Sequence, residues 1–356
     1  METRFLGTTG LRVSTFALGT MGFGGGAQSP VGDIDLDTAR RMVAMGLDAG
    51  VNLFDTANSY GGGRSEELLG KALGSRRDDV LVSTKVHARA GAGPNDVGQS
   101  RWNIVRSCEA SLRRLGTGHI DLFHVHGFDG CTPLEESLLA LDRLVRSGKV
   151  RYLACSNYAA WQIAWASGIS AQRGLDRYVA TQAYYSLVAR DLEWEIAPAC
   201  HALGLGVLVW SPLAGGLLSG RLGADDTPSG TRRAWVGDLG IGPVDHERAG
   251  RVLATAQGIA SARGVSVAQV ALNWVRANPA VSSVIIGART TDQLAENLAA
   301  ASWSLDGDEK AALDAVSAVP LPYPHWFQRQ FTAERFGLGG PPDVDAVHEY
   351  GPRDEG

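Results

Sequence analysis

The chain reads as a (β/α)8 barrel, the TIM-barrel class of α/β folds. Three observations predict it. Eight apolar, β-type runs alternate with longer amphipathic stretches, and strict βαβα order argues for a parallel sheet. Most run starts lie roughly 26–40 residues apart, the size of one βα unit. Right-handed crossovers let eight such units close on themselves.

The first element precedes the barrel. In Arg4–Val13 two short β runs flank Gly7-Thr8-Thr9-Gly10, which reads as a hairpin with a glycine turn. Such a hairpin can plug the barrel bottom. The barrel strands are Phe16–Gly19, Asn52–Asp55, Val80–Lys85, His119–Val125, Val150–Cys155, Tyr178–Gln182, Val207–Trp210 and Val281–Ile286. Helical periodicity appears between them, for example over Asp37–Ala49, Ser65–Leu73, Asn103–Leu115, Leu134–Ser147 and Glu247–Arg263.

The last interval between strands is the longest. It opens with a polar, glycine-rich stretch, Leu222–Val244, read as a flap over the site. Two helices follow the eighth strand, Thr291–Ala300 and Asp306–Val319. The expected organisation is one domain over 1–356, with 1–14 the hairpin and 320–356 a tail. That tail is rich in Pro, Gly and charge, yet its aromatics suit packing on the body.

Of 356 residues, 44% are apolar and 20% charged, an ordinary globular balance. The net charge of -5 disfavours a nucleic-acid or anionic-membrane partner. Cys108, Cys131, Cys155 and Cys200 form no CxxC pair or metal-type spacing with histidine, so free thiols and no metal site are expected. The opening Met1-Glu2-Thr3-Arg4 lacks a basic-then-apolar leader. No apolar run approaches the ~20 residues of a membrane span. The expectation is a soluble, cytoplasmic protein.

Chemistry concentrates where strands give way to loops. Asp55, Lys85 and His126 end the second, third and fourth runs. Neighbouring strands are ~4.8 Å apart, so the three span only about 10 Å if adjacent. Tyr60 lies a short loop beyond Asp55. A phenol is a weak acid, with a reference pKa near ~10, and a nearby ammonium favours its phenolate. Asp55 would keep Lys85 charged, and His126 could donate to the same substrate oxygen. The set suits proton delivery to a carbonyl gaining hydride at carbon. His124 shares a face with His126 one layer deeper and reads as a hydrogen-bonded barrel histidine.

Five ordered segments then make the chain resemble the aldo-keto reductase family, from Gly19 to Asn297. They are Asn52-Leu-Phe-Asp-Thr-Ala-Asn-Ser-Tyr-Gly61, His119-Ile-Asp-Leu-Phe-His-Val-His126, Cys155-Ser-Asn-Tyr158, Trp210-Ser-Pro-Leu-Ala-Gly-Gly-Leu-Leu-Ser-Gly-Arg221 and Ile286-Gly-Ala-Arg-Thr-Thr-Asp-Gln-Leu-Ala-Glu-Asn297. The resemblance implies NADPH and reduction of a carbonyl to an alcohol. It assigns Tyr60 as the acid, Lys85 and Asp55 as the pair that tunes it, and His126 as the residue orienting the carbonyl.

The cofactor half follows the same comparison. Trp210 can stack on a nicotinamide, with Ser156, Asn157 and Gln182 placed for its carboxamide. Ser211, Pro212, Leu213 and Gly215 continue the seventh-strand signature, and Arg221 with the flap would close over the pyrophosphate. Gly287, Ala288 and Arg289 precede Thr290-Thr-Asp-Gln293, a capping-box helix start whose free N–H groups suit phosphate. Arg289 is assigned to the 2′-phosphate, which favours NADPH over NADH, and Gln293, Glu296 and Asn297 to the adenosine. Gly19, Thr20 and Met21 end the first strand, where glycine lets backbone approach a ligand closely. The loose G-x-G-x-x-A formed by Gly22, Gly24 and Ala27 lacks the immediate helix of a Rossmann site and reads as accidental.

Substrate specificity belongs to loops and tail. Phe23, Phe128, Trp235 and Trp326 are candidate pocket walls, beside Met21 and Phe327. The substrate is then a small carbonyl compound: an aromatic aldehyde, a diketone or a sugar. Competing readings are a non-catalytic, channel-associated subunit that keeps NADPH, and a sugar dehydrogenase working mainly in the oxidative direction. A Schiff-base lyase would need no Trp210, Ser211 or Arg289 anchor. A metal-dependent hydrolase would need more than His124-Val-His126.

Overall fold

The computed structural model describes residues 1–26, 29–220, 234 and 244–335. Strands β1 (Thr3–Phe5) and β2 (Arg12–Ser14) pair antiparallel. Eight parallel strands close the barrel: β3 (Phe16–Gly19), β4 (Leu53–Asp55), β5 (Leu81–Val86), β6 (Ile120–Val125), β7 (Val150–Ser156), β8 (Tyr178–Tyr184), β9 (Gly206–Trp210) and β10 (Val281–Ile286). They follow one another in chain order, and β10 pairs β3 to complete the ring.

The helices fill the crossovers. They are α1 (Leu36–Asp48), α2 (Arg64–Leu73), α3 (Arg101–Leu115), α4 (Leu134–Arg146), α5 (Ala160–Arg173), α6 (Ile196–Leu203), α7 (His246–Arg263) and α8 (Val267–Arg276), with α9 (Thr291–Ala299), α10 (Gly307–Ser317) and α11 (His325–Arg335) after β10. Polar caps set their starts: Asp35, Ser100, Asp245, Ser266, Thr290 and Asp306 each accept a backbone N–H from the first turn. Most bury an apolar face, as α1 does with Ala39, Met42 and Val43 and α4 with Leu134, Leu138, Leu141 and Leu144.

The barrel is narrow, so small residues share its floor with leucines. Ala17, Leu53, Leu122, Ala154, Ala180 and Leu208 form a layer closed from below by Leu6 and Val13 of the hairpin. Both hairpin side chains are fully buried, each worth about 1.5–3 kcal/mol of apolar transfer. Gly7 makes that seat possible. Its φ is +58°, and a Cβ there would stand 2.3 Å from the Gly204 carbonyl oxygen. Above the floor the inward positions turn polar, and the chemistry begins there.

The tail holds α11, a helix not anticipated from its Pro- and Gly-rich sequence. Its Phe327 and Phe331 rings lie 4.6 Å apart, one turn from each other. His325 reaches Glu195 at 3.4 Å, which ties the helix to the loop before α6. Nearly all of the Leu222–Val244 stretch read as a flap lies outside the described residues, as do Arg221 and Trp235. No helix among the described residues is long and apolar enough to cross a membrane. None of their His, Cys, Asp and Glu residues group into a metal site, and Cys108, Cys131, Cys155 and Cys200 are free thiols.

Candidate active site

Asp55 ends β4 beside Ser83 in register, and Lys85 follows two residues later on the same face of β5. The Lys85 ammonium lies 2.6 Å from Asp55 Oδ2 and also donates to the Thr56 carbonyl at 2.7 Å. Asp55 Oδ1 accepts from Ser83 Oγ at 2.9 Å and from Gln182 Nε2 at 3.0 Å. Burial alone would raise the Asp55 pKa, but Lys85 and these donors hold it below its ordinary value. Burial likewise opposes the Lys85 ammonium, yet Asp55 and the neighbouring Tyr60 hydroxyl raise its pKa above the usual range. A buried pair is thus kept ionised by its own hydrogen bonds.

Tyr60 opens a 3₁₀ turn whose Gly61 and Gly62 take left-handed backbone angles. The sharp bend returns the phenol over the barrel mouth. Lys85 Nζ sits 5.1 Å from its ring centroid. The His126 ring meets it edge-on at 5.8 Å. Asp55, Tyr60, Lys85 and His126 therefore converge, from the loops and ends of β4, β5 and β6.

His126 has its pKa pushed down to about 3, by burial first and then by the Lys85 charge. It is neutral at ordinary pH and can donate one hydrogen bond. Its Nδ1 is buried with no partner among the described residues. His124 is fully buried one layer down, its pKa also near 3 through burial and Lys85. Both of its ring nitrogens lack a hydrogen bond of good geometry among the described residues, so the expectation of a bonded barrel histidine is corrected. Burial is the largest influence on its state and Lys85 the next, opposed by Asp55 and by a weaker contribution from the Cys155 backbone.

A cavity of about 370 Å³ opens beside Tyr60 and Asp55, against the ends of β3, β4, β8, β9 and β10. Gly19, Thr20 and Met21 border it on one side, Gln182, Trp210, Ser211, Pro212, Leu213 and Gly215 on another. Gly287, Ala288, Arg289, Gln293, Glu296 and Asn297 complete the wall. Ser211 and Ala214 hold positive φ of 53° and 48°, unusual for residues with side chains. Their bends turn the chain after β9 along the cavity. The Trp210 ring stacks on Tyr184 at 4.9 Å, and its Nε1 donates to Asn157 Oδ1 at 3.0 Å.

The start of α9 differs in one detail from a capping box. Thr290 Oγ1 accepts from Gln293 N at 3.2 Å as expected. The Gln293 side chain accepts not from Thr290 but from the Arg289 N–H, at 2.9 Å. Asn297, buried, donates to the Gly287 carbonyl at 3.2 Å and fixes the strand-to-helix turn. The Arg289 residue is exposed, and its stem rests against Gly32, where a Cβ would stand 3.3 Å from Arg289 Cγ.

Other expected residues lie elsewhere. Ser156 and Asn157 do not border the cavity. Ser156 Oγ donates to the Gln182 carbonyl at 2.9 Å, and Asn157 Nδ2 to the His126 carbonyl at 3.0 Å, so both knit strand ends together. Phe23 is no pocket wall: it is 1% exposed and sits in the core, turned inward by its bridge to Ile34. Phe128 packs edge-on against Tyr158 and Trp161, and Trp326 edge-on against Phe327 and tilted against Tyr323. Neither borders the cavity. Gly216 and Ser219, inside the seventh-strand signature, also border it, as do Val31, Ala268 and Leu272, which carry no motif signal. They arrive through a loop that folds back and through α8.

The chain is similar in sequence to several known proteins. An uncharacterized oxidoreductase, YrpG, of Bacillus subtilis (strain 168) is 42% identical over 331 residues, spanning 90% of this chain and 97% of that protein. A probable voltage-gated potassium channel subunit beta of Oryza sativa subsp. japonica is 37% identical, spanning 84% of this chain and 91% of its own. Versiconal hemiacetal acetate reductase of Aspergillus parasiticus is 32% identical, spanning 87% and 95%. The sequence model described as "Aldo/keto reductase family" matches residues 15–318, from the first barrel strand to the end of α10. The chain belongs to the aldo/keto reductase family.

Proposed function

We propose that this protein reduces an aldehyde or ketone reversibly to an alcohol, with NADPH as reductant. The observation that carries the reading is the buried Lys85–Asp55 pair beneath Tyr60 and beside neutral His126, at one end of the cavity.

The cavity's residues fit a dinucleotide phosphate. Glycines at 19, 215 and 287 leave backbone close to its space. Trp210 offers a flat ring and Gln182 an amide. At the far end the free N–H groups of α9 and the Arg289 guanidinium suit phosphate oxygens. Arg289 would favour NADPH over NADH. The bound nicotinamide supplies hydride to the carbonyl carbon.

The chain's own residues handle the oxygen. His126, held neutral by burial and by Lys85, donates to the carbonyl oxygen and orients it. As negative charge grows there, the Tyr60 hydroxyl gives up its proton to form the alcohol. Lys85 stabilises the phenolate left behind, and Asp55 keeps Lys85 charged and fixed in place. Solvent then restores the Tyr60 proton. The same steps run backwards with an alcohol and NADP+, as a sugar dehydrogenase would use them.

The relatives named as channel subunits favour a second reading, a protein that holds NADPH and regulates a partner. Following NADPH oxidation with aromatic aldehydes, diketones and sugars separates the two. Turnover of at least one carbonyl class, abolished by Tyr60→Phe, supports the reductase. Tight NADPH binding with no turnover in any class supports the subunit.

A further inference from the structure

His87 sits just past the end of β5 with a positive φ of 140° and does not border the cavity. A non-glycine residue keeps such a backbone only where its surroundings over-determine it. Here both ends of the residue are held. The His87 carbonyl accepts from Gly98 N at 2.8 Å, and its Nδ1 lies 3.4 Å from Gln99 Nε2.

Gln99 decides which ring nitrogen carries the proton. It is 1% exposed. Its Nε2 also donates to the Gly127 carbonyl, which can only accept, and its Oε1 accepts from Tyr158 at 3.1 Å. The amide therefore has one orientation and presents an N–H to His87 Nδ1. Nδ1 is the acceptor, so the neutral ring carries its proton on Nε2. Asp129 faces this ring and accepts the Gln99 N–H at 2.7 Å, which braces the network. Burial keeps the His87 pKa below its ordinary value.

Nε2 has no protein acceptor among the described residues. The ring edge bearing it lies against Gly127, where a Cβ would stand 3.6 Å from Nε2. Lys85 pairs with His124 and Val86 with Val125, the His126 N–H donates to the Val86 carbonyl at 2.8 Å, and the His87 ring is near enough to act electrostatically on His126. Neighbouring strands are ~4.8 Å apart. Two neutral imidazoles thus stand side by side at the mouth.

We propose that His87 is a substrate-binding residue: a second hydrogen-bond donor that selects carbonyl compounds carrying an oxygen on the carbon next to the reacting one. The inference rests on the reductase reading above. The reacting oxygen takes Tyr60 and His126, and the adjacent oxygen reaches His87 Nε2. A simple ketone leaves that donor to water.

The test compares diacetyl with butanone, with NADPH saturating. The ratio of their kcat/KM values cancels their different intrinsic reactivity when wild type and variants are compared. His87→Leu removes the donor, and the ratio should fall about tenfold. His87→Gln restores an N–H near Nε2, and the ratio should return to within about threefold of wild type. An unchanged ratio in His87→Leu overturns the proposal. A wild-type protein that reduces neither ketone, nor any aromatic aldehyde or sugar, contradicts the reductase reading instead. Imidazole nitrogen NMR of the wild-type protein with NADP+ then decides His87 without turnover. A protonated Nε2 that shifts with diacetyl but not with butanone supports the proposal. A protonated Nδ1, or no shift, overturns it.

Discussion

The Lys85 ammonium and the Asp55 carboxylate lie 2.6 Å apart, with side chains 0% and 4% exposed. Removing one partner strands the other charge in a medium that cannot solvate it. Lys85→Met should cost about 3–5 kcal/mol of stability. The double variant Lys85→Met/Asp55→Asn removes both charges and should recover most of that loss. Neither protein should reduce a carbonyl at a measurable rate. Urea denaturation beside an NADPH-oxidation assay reads both quantities. Equal stability of Lys85→Met and wild type would contradict the buried pair.

His124 and His126 make stability depend on acid. Both have folded pKa values near 3, whereas an unfolded histidine titrates near ~6.5. Between those values the unfolded chain binds protons that the folded one refuses. Stability should therefore fall as pH drops from about 6.5 toward 3, by up to about 1.4 kcal/mol per unit for each ring. Above that window neither ring contributes. His124→Gln should flatten the slope across it, as read from denaturant midpoints at several pH values. An identical slope in the variant would show that His124 titrates normally.

Arg289 is exposed at the start of α9 while the pocket wall around it is fixed by Gln293 and Asn297. Arg289→Ala should weaken NADPH by roughly ten- to hundredfold, the worth of about 1.5–3 kcal/mol for a hydrogen bond to a charged group. NADH should change less than about threefold. Fluorescence titration with each nucleotide checks this. An equal loss for both would mean that Arg289 does not read the extra phosphate.

The hairpin plug is testable through its turn. Gly7→Ala forces a left-handed alanine, at roughly 1–2 kcal/mol, and sets its Cβ against the Gly204 carbonyl. A Cβ at Gly10 meets nothing within 4 Å, so Gly10→Ala should fall within about 0.5 kcal/mol of wild type. Thermal melts of the two compare the same chemical change three residues apart. Similar melts would show that the hairpin does not seat against the barrel floor.

The barrel was legible because its strands are apolar runs with polar punctuation. Phe16–Gly19 and Val281–Ile286 match the observed strands residue for residue. The run ending at Gln182 extends to Tyr184, since Tyr184 pairs with Trp210 in the next strand, a contact no local pattern reveals. Within α6, Pro198 occupies the first turn, where its missing N–H costs little, and so hid a helix. The Asp55, Lys85 and His126 positions were readable because strand ends converge in this fold. Ser156 and Asn157 had the right chemistry at the right strand end, but internal hydrogen bonds claim both. Phe23 misled because a loop aromatic near the mouth can also fold back into the core. Val31 and Leu272 reach the cavity only through tertiary folding, so nothing in their local sequence marks them.

The Tyr60 hydroxyl is the proposed proton donor, and Tyr60→Phe removes that atom alone. Rapid mixing of the variant's NADPH complex with an accepted carbonyl substrate follows one turnover by nicotinamide absorbance. NADPH should bind as in wild type while the single-turnover rate falls at least about a thousandfold, somewhat over 4 kcal/mol of lost transition-state stabilisation. A variant that keeps most of the wild-type rate would contradict Tyr60 as the proton donor.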